Sequence, residues 1–184
     1  MPEDQFKPIP NTAFLEFRPN GEDFKLASER SEKMGILPNS HTNGEGRMSG
    51  FLGEIAVEKF LGGVAENHGS QSKRYDLALP CGTTIEVKTK RAKSIPKPDY
   101  VASVEKKASH MFKNDLFVFL RCHSSLAKLW LLGWVKTDSF RRRATFKKAG
   151  EPDGDFGFTF RVDGWHLPIS KLKPISTLKD YLSL

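Results

Sequence analysis

Cysteine is almost missing from this 184-residue chain: Cys81 and Cys122 are the only two. Two thiols cannot build a disulfide framework, so a reducing, cytoplasmic setting is expected. Long apolar runs are missing too. Nothing approaches the ~20 residues of a membrane span, and the opening MPEDQFKPIP has no signal-peptide apolar core, so no membrane partner is expected. There is no internal repeat and no low-complexity tract. Glycines 44, 46 and 50 do not make a dinucleotide fingerprint, because no strand precedes them and the third falls one place late. Asp153-Gly154-Asp155 lacks the later ligands and bidentate glutamate of a calcium loop and reads as a turn. Cys122-His123 has no second pair at zinc spacing. His41, His68, His110 and His166 are scattered, and no Cys/His protease motif accompanies them.

What the chain does have is charge, unevenly placed. Residues 1–61 hold 7 Lys and Arg against 10 Asp and Glu, whereas residues 62–184 hold 22 against 12. The excess of the second segment outweighs the deficit of the first and leaves a net charge of +7, a balance that suits a phosphate-backbone binder. With 38% hydrophobic residues, the length fits one domain over 1–184 with a core of its own.

The most informative stretch is Tyr75–Lys90, YDLALPCGTTIEVKTK. From Thr84 to Lys90, apolar Ile85 and Val87 alternate with Thr84, Glu86, Lys88 and Lys90, the period of a strand with one buried and one wet face. Pro80-Cys81-Gly82 punctuates the run as a turn. Before it, Tyr75, Leu77 and Leu79 share one face of a shorter strand, and Asp76 and Ala78 share the other. Paired as a hairpin, the two strands bring Asp76 beside Glu86 and Lys88. Two close carboxylates repel and need a proton or a cation between them. Oxygen ligands favour a hard ion, and Mg²⁺ takes one or two carboxylates plus waters and phosphate oxygens. A lysine alongside can polarise an attacking water and offset charge developing on a phosphate. The same pattern is also met by a solvated amphipathic strand with no chemistry at all.

Asp76 followed by Glu86-Val87-Lys88 resembles the PD-(D/E)XK nuclease superfamily, with Tyr75 standing where the family's proline would be. Upstream, Gly53-Glu54-Ile55-Ala56 is similar to the GExA helix that precedes the catalytic strands in many of these enzymes. The resemblance covers about Gly50 to Val135, and the cast of the chain is similar to small phage-encoded nucleases. It implies an α/β fold, a restriction-endonuclease-like mixed β-sheet with an α-β-β-β-α-β core flanked by helices. It implies a Mg²⁺-dependent DNA endonuclease, with Mn²⁺ as a substitute ion. Asp76, Glu86 and the Val87 carbonyl would hold the metal, Lys88 would orient or activate water, and Glu54 would serve a second ion or outer-sphere water. Products would carry a 5′-phosphate and a 3′-hydroxyl. A branched-DNA or Holliday-junction resolvase of the same superfamily, a non-catalytic nucleic-acid-binding module, and a structural or regulatory protein with an incidental ExK strand all stay open, as does a homodimer.

Around this core the expectations are as follows. Residues 1–20, with four prolines, read as an extended arm, and Glu22–Leu37 as a helix, so 1–40 form an N-terminal unit before a catalytic core at 50–135 and an extension at 136–184. Ser49 caps a helix over about Gly50–Leu61, ended by Gly62-Gly63, with Leu52, Ile55, Ala56 and Phe60 inward. Asp99 caps another with Val101, Val104, Ala108 and Met111 inward. Leu116–Leu120 and Leu129–Val135 are strands buried on both faces. Thr137–Phe146 is a short helix and Phe156–Val162 an edge strand. Lys90, Arg91, Lys93, Lys97 and Arg141, Arg142 and Arg143 are candidate phosphate contacts.

Overall fold

Two uninterrupted apolar runs organise the fold. LFVFLRCH and LWLLGWVK form β7 (Leu116–His123) and β8 (Leu129–Lys136), antiparallel to each other and buried almost throughout. Strands with apolar residues on both faces need a cover on each side, and the chain supplies two. The computed structural model describes residues 5–34, 45–68, 75–106, 112–152 and 159–184. Over these the fold is mixed α/β, with a seven-stranded, mostly antiparallel sheet, four helices and a smaller three-stranded sheet.

The large sheet runs β1 (Phe6–Pro8), β2 (Leu15–Phe17), β8, β7, β5 (Thr84–Ala92), β4 (Leu77–Ala78), β3 (Glu66–Asn67). Among the described strands, only β5 and β7 pair in parallel. On one face lie α1 (Gly21–Lys33) and α2 (Glu45–Phe60), closing a core of Leu52, Ile55, Ile85, Val118, Leu120 and Leu129. On the other, β6 (Val101–Glu105), β9 (Thr145–Lys147) and β10 (Gly164–Pro168) make the second sheet. Its Ala102, Val104 and Leu167, with Phe140 of α3 (Thr137–Arg143), pack on Phe117 and Phe119. Among the described residues no helix is long and apolar enough to cross a membrane.

Three expectations need correction. The residues after Asp99 are a strand, not a helix: Tyr100 closes a turn onto Lys97, and Val101–Glu105 pairs antiparallel with Gly164–Pro168. Valines three apart suit a helix, but the pairing partner lies some sixty residues onward, and tertiary pairing overrides local spacing. Among the described residues, the crossover from β5 to β7 therefore carries a strand where an α-β-β-β-α-β plan carries a helix; Ala108 and Met111 lie outside them. The supposed N-terminal arm contains β1 and β2, which extend the sheet from β8; Pro8 ends an edge strand, where a missing N–H is tolerated. Ser49 does not cap α2. It lies inside the helix and its hydroxyl donates to the Gly46 carbonyl at 2.8 Å.

Other expectations are met in whole or in part. The helix expected from Glu22 is α1, which Asn20 caps reciprocally with Asp23. Gly62 and Gly63 at φ 77° and 75° end α2. The helix expected over Thr137–Phe146 stops at Arg143, and Thr145–Lys147 is the strand β9. The expected Phe156–Val162 edge strand is not found over its described residues: Thr159 makes an isolated bridge to Pro152 and residues 160–162 are irregular, while residues 156–158 lie outside the description, as do Asp153-Gly154-Asp155, His41 and His110. The helix α4 (Leu178–Leu182) closes the chain against the core through Leu178.

Candidate active site

The hairpin of β4 and β5 forms as its turn chemistry demands, with Gly82 at φ 86° and its amide donating to the Leu79 carbonyl. The register pairs Leu77 with Ile85 and so sets Asp76 opposite Glu86. There the ladder forks. The Asp76 amide donates to the Ile85 carbonyl at 3.0 Å, but the next rung is made by a side chain: the Val87 amide donates to Asp76 Oδ2 at 2.8 Å. In a strand, one residue's N–H and C=O point to the same side. The Val87 carbonyl therefore faces the same edge as the Asp76 carboxylate.

Glu86 and Lys88 lie on the face of β5 that the second sheet covers, the face of Phe117, whereas Ile85 and Val87 pack toward α2. Glu86 is 1% exposed, so its polar face is not wet as alternation alone suggests. Lys88 Nζ donates to Glu86 Oε1 at 2.6 Å, while Glu86 Oε2 is buried without a hydrogen-bond partner. Burial, and then the charge of Asp76, push the Glu86 carboxyl up to about 7 against the pull of Lys88. Burial also raises Asp76, opposed by the Val87 amide and Lys88.

Glu54 reaches the same place from α2. That helix lies close on β5 because residue 53 is glycine: a Cβ there would strike the Thr89 hydroxyl and stand 3.1 Å from the Thr89 Cβ. Glu54 is buried, and its Oε2 accepts from Asn67 Nδ2 at 2.8 Å. Burial and the neighbouring charge of Asp76 raise it to about 8, with Arg30 opposing and Glu58 adding. Asn67 also donates to Glu58, which Arg30 clasps with two bonds at 2.6 and 2.9 Å. Asn67 and Arg30 carry no motif; only the strand β3 and the helix α1 place them here.

Glu54 and Glu86 thus each stand beside Asp76 at the fork, and Lys88 beside Glu86. The donor set is three carboxylates and a main-chain carbonyl, all hard oxygens, and it includes an orphaned buried oxygen on Glu86 and three acids whose ionisation is resisted. That chemistry fits a hard divalent cation. Among the described residues, however, no three His, Cys, Asp or Glu side chains already converge closely enough to ligate one ion. Lys88 supplies the positive charge on Glu86.

The candidate phosphate contacts are not gathered into one tract. Lys90 stands in a cleft beside Arg121, and Arg91 is tied to the Ser124 carbonyl at 3.0 Å. Lys93 and Lys97 are exposed on the loop after β5. Arg141 lies over the Phe112 ring, and Arg143 donates to the Lys171 carbonyl. Cys122 is buried in β7, which fits a core residue.

No protein-family model matches this chain, and none of the curated proteins matches it.

Proposed function

We propose that this chain is a Mg²⁺-dependent DNA endonuclease of the PD-(D/E)XK type, able to use Mn²⁺. One observation carries the reading. The hairpin register sets Asp76 against Glu86, Asp76 grips the Val87 amide, and Lys88 sits on Glu86, while Glu54 approaches from the glycine-marked helix. Asp76, Glu86 and the Val87 carbonyl would hold the ion, with Glu54 for a second ion or an outer-sphere water. Such an ion would supply Lewis-acid polarisation of a phosphate oxygen and would acidify water. Lys88 would orient the attacking water and offset charge growing on the phosphate. Glu54 and Glu86, raised in the metal-free site, must lose their protons to hold an ion, so metal binding should strengthen as pH rises toward neutrality. Products would keep a 5′-phosphate and a 3′-hydroxyl.

One rival, favoured by the excess of Lys and Arg over residues 62–184, is a nucleic-acid-binding module without turnover. Incubation with plasmid, four-way-junction and single-stranded DNA in Mg²⁺, Mn²⁺ or EDTA separates the two. Metal-dependent cleavage should be nearly abolished in Asp76→Ala, Glu86→Ala and Lys88→Ala, and the triple variant should be little worse than one, because cooperating groups are not additive. Wild-type cleavage by Lys88→Ala would overturn the assigned roles. Binding without cleavage of any substrate would leave the module. Cleavage confined to the junction would narrow the reading to a resolvase.

A further inference from the structure

Beyond Lys88 the covered face of β5 opens into a cleft of about 600 Å³ between the ends of β5 and β7 and the strands β6 and β10. That is the size of a small-ligand site. Lys90, Arg121 and Arg161 line it, and Glu105 is the only carboxylate in its lining among the described residues. Lys90 and Arg121 are register partners on neighbouring strands. Like charges set opposite one another are destabilising. Lys90 is exposed at the cleft and Arg121 half-buried; the protein packed around it, then the charge of Arg121, lowers Lys90 to about 8, and Arg121, whose guanidinium donates to the Val101 carbonyl at 2.8 Å, is lowered by its own burial.

A second, independent feature marks the same wall. His166 is 7% exposed, its Nδ1 lies 2.8 Å from Ser103 Oγ, and its Nε2 is buried with no hydrogen-bond partner. A buried polar atom left unpaired is costly. When the Ser103 hydroxyl donates to Nδ1, Nε2 carries the proton and is a donor, the form an anion selects. A bundle of repelling cations and an unmet donor is relieved by one kind of ligand, a compact anion with several acceptor oxygens.

We propose that this cleft binds a phosphate group of a nucleotide through Lys90, Arg121 and Arg161, with His166 at its wall. The site stands apart from the cutting chemistry: about 13 Å of strand separates Glu86 from Lys90, and phosphate capture here needs no metal. The phosphate has two sources, an internal phosphodiester of a polynucleotide or the terminal phosphate of a mononucleotide.

Titration calorimetry in EDTA at low salt tests it with three probes: inorganic phosphate, a 5′-mononucleotide, and a single-stranded decanucleotide lacking terminal phosphate. Lys90→Gln should weaken the probe that binds about tenfold, Lys90→Arg should retain it, and Lys25→Gln on α1, the same loss of charge on an exposed residue, should change it less than twofold. Binding of the decanucleotide alone assigns the cleft to the polynucleotide backbone; binding of phosphate and mononucleotide assigns it to a terminal phosphate. The proposal fails if no probe binds the wild type, or if Lys90→Gln and Lys25→Gln weaken binding equally. Cleavage without cleft binding overturns this site and leaves the nuclease reading; cleft binding without cleavage does the reverse.

Discussion

Replacing Glu54 by glutamine should make the protein more stable at pH 8 and leave it unchanged at pH 4. Glu54 is buried on α2, beside Asp76 and Glu58, with only Arg30 and an Asn67 amide to favour its charge. Its carboxyl is raised from 4.5 to about 8. The folded state therefore holds a proton that the unfolded chain has lost between these values, so stability falls as pH rises through that window. At 1.36 kcal/mol per unit the ceiling is ~5 kcal/mol. Because Asp76 shares the repulsion and the surroundings relax, about 2 kcal/mol is expected. Glutamine keeps a carbonyl for Asn67 and carries no charge at any pH. Urea unfolding in EDTA from pH 4 to 8.5 should show the two stability curves meeting near pH 4 and diverging by about 2 kcal/mol at pH 8, roughly 4–8 °C in melting temperature. Parallel curves, or a variant less stable at pH 8, would refute the electrostatic account of the fork.

Further expectations are checked more simply. Gly53→Ala should cost about 2–3 kcal/mol through its collision with Thr89, whereas Thr89→Ala, which removes a buried hydroxyl without a partner, should be close to neutral; in the double variant the cost should shrink by about 1 kcal/mol or more, read from a double-mutant cycle. His166 is lowered to about 4 by burial and then by Lys90 and Lys147, so the unfolded chain binds the extra proton between about 4 and 6.5. Stability should fall as pH falls through that window, and His166→Gln should remove about 1–2 kcal/mol of that loss after allowance for partial solvation. Adding Mn²⁺ or Mg²⁺ at roughly ten times Kd should stabilise the wild type by about 1.4 kcal/mol, and Glu86→Ala should lose most of the gain; equal thermal shifts in both would remove Glu86 from any metal site. Neutralising Lys93, Lys97, Arg141 or Arg142 should lower the salt slope of DNA binding by about one for each residue that contacts a phosphate, and leave it unchanged for each that does not.

Much of the large sheet was legible because its signals are local. The unbroken apolar runs of β7 and β8 announce strands covered on both sides, and the glycine pair at 62–63 ends α2 where expected. The second sheet was not legible, because its strands are short and their partners are distant. Val101–Glu105 pairs with Gly164–Pro168, and Thr145–Lys147 pairs with the same strand from the other side. Nothing within a dozen residues of Val101 distinguishes such a strand from a helical turn. For the same reason, Phe6–Pro8 and Leu15–Phe17 looked like a proline-rich arm, although β8 offers an edge for Leu15–Phe17 to complete.

The fork shows the same division at the scale of single atoms. Residue types and a two-residue period suffice to predict that Asp76, Glu86 and Lys88 meet. They do not predict that Asp76 replaces a rung of the ladder by accepting the Val87 amide, because that depends on β4 beginning only at Leu77. Nor do they predict that Glu86 is sealed from water, since it shares a face with Phe117, which packs on residues far along the chain. Yet that burial makes the carboxyl unusual. On a solvated face, the same E-V-K triplet would hold an ordinary acid beside an ordinary base. Sealed on the face of Phe117 with one oxygen unmet and Asp76 opposite, Glu86 is poised to exchange its proton near neutrality for whatever positive charge reaches it. A substitution that loosens the second sheet without touching the fork, such as Leu167→Ala, should therefore return Glu86 toward the usual carboxylate range. The change would appear as a shallower fall in stability between pH 4.5 and 7. If that slope persists while the second sheet is demonstrably loosened, the packing of Leu167 on Phe117 is not what keeps Glu86 buried and raised.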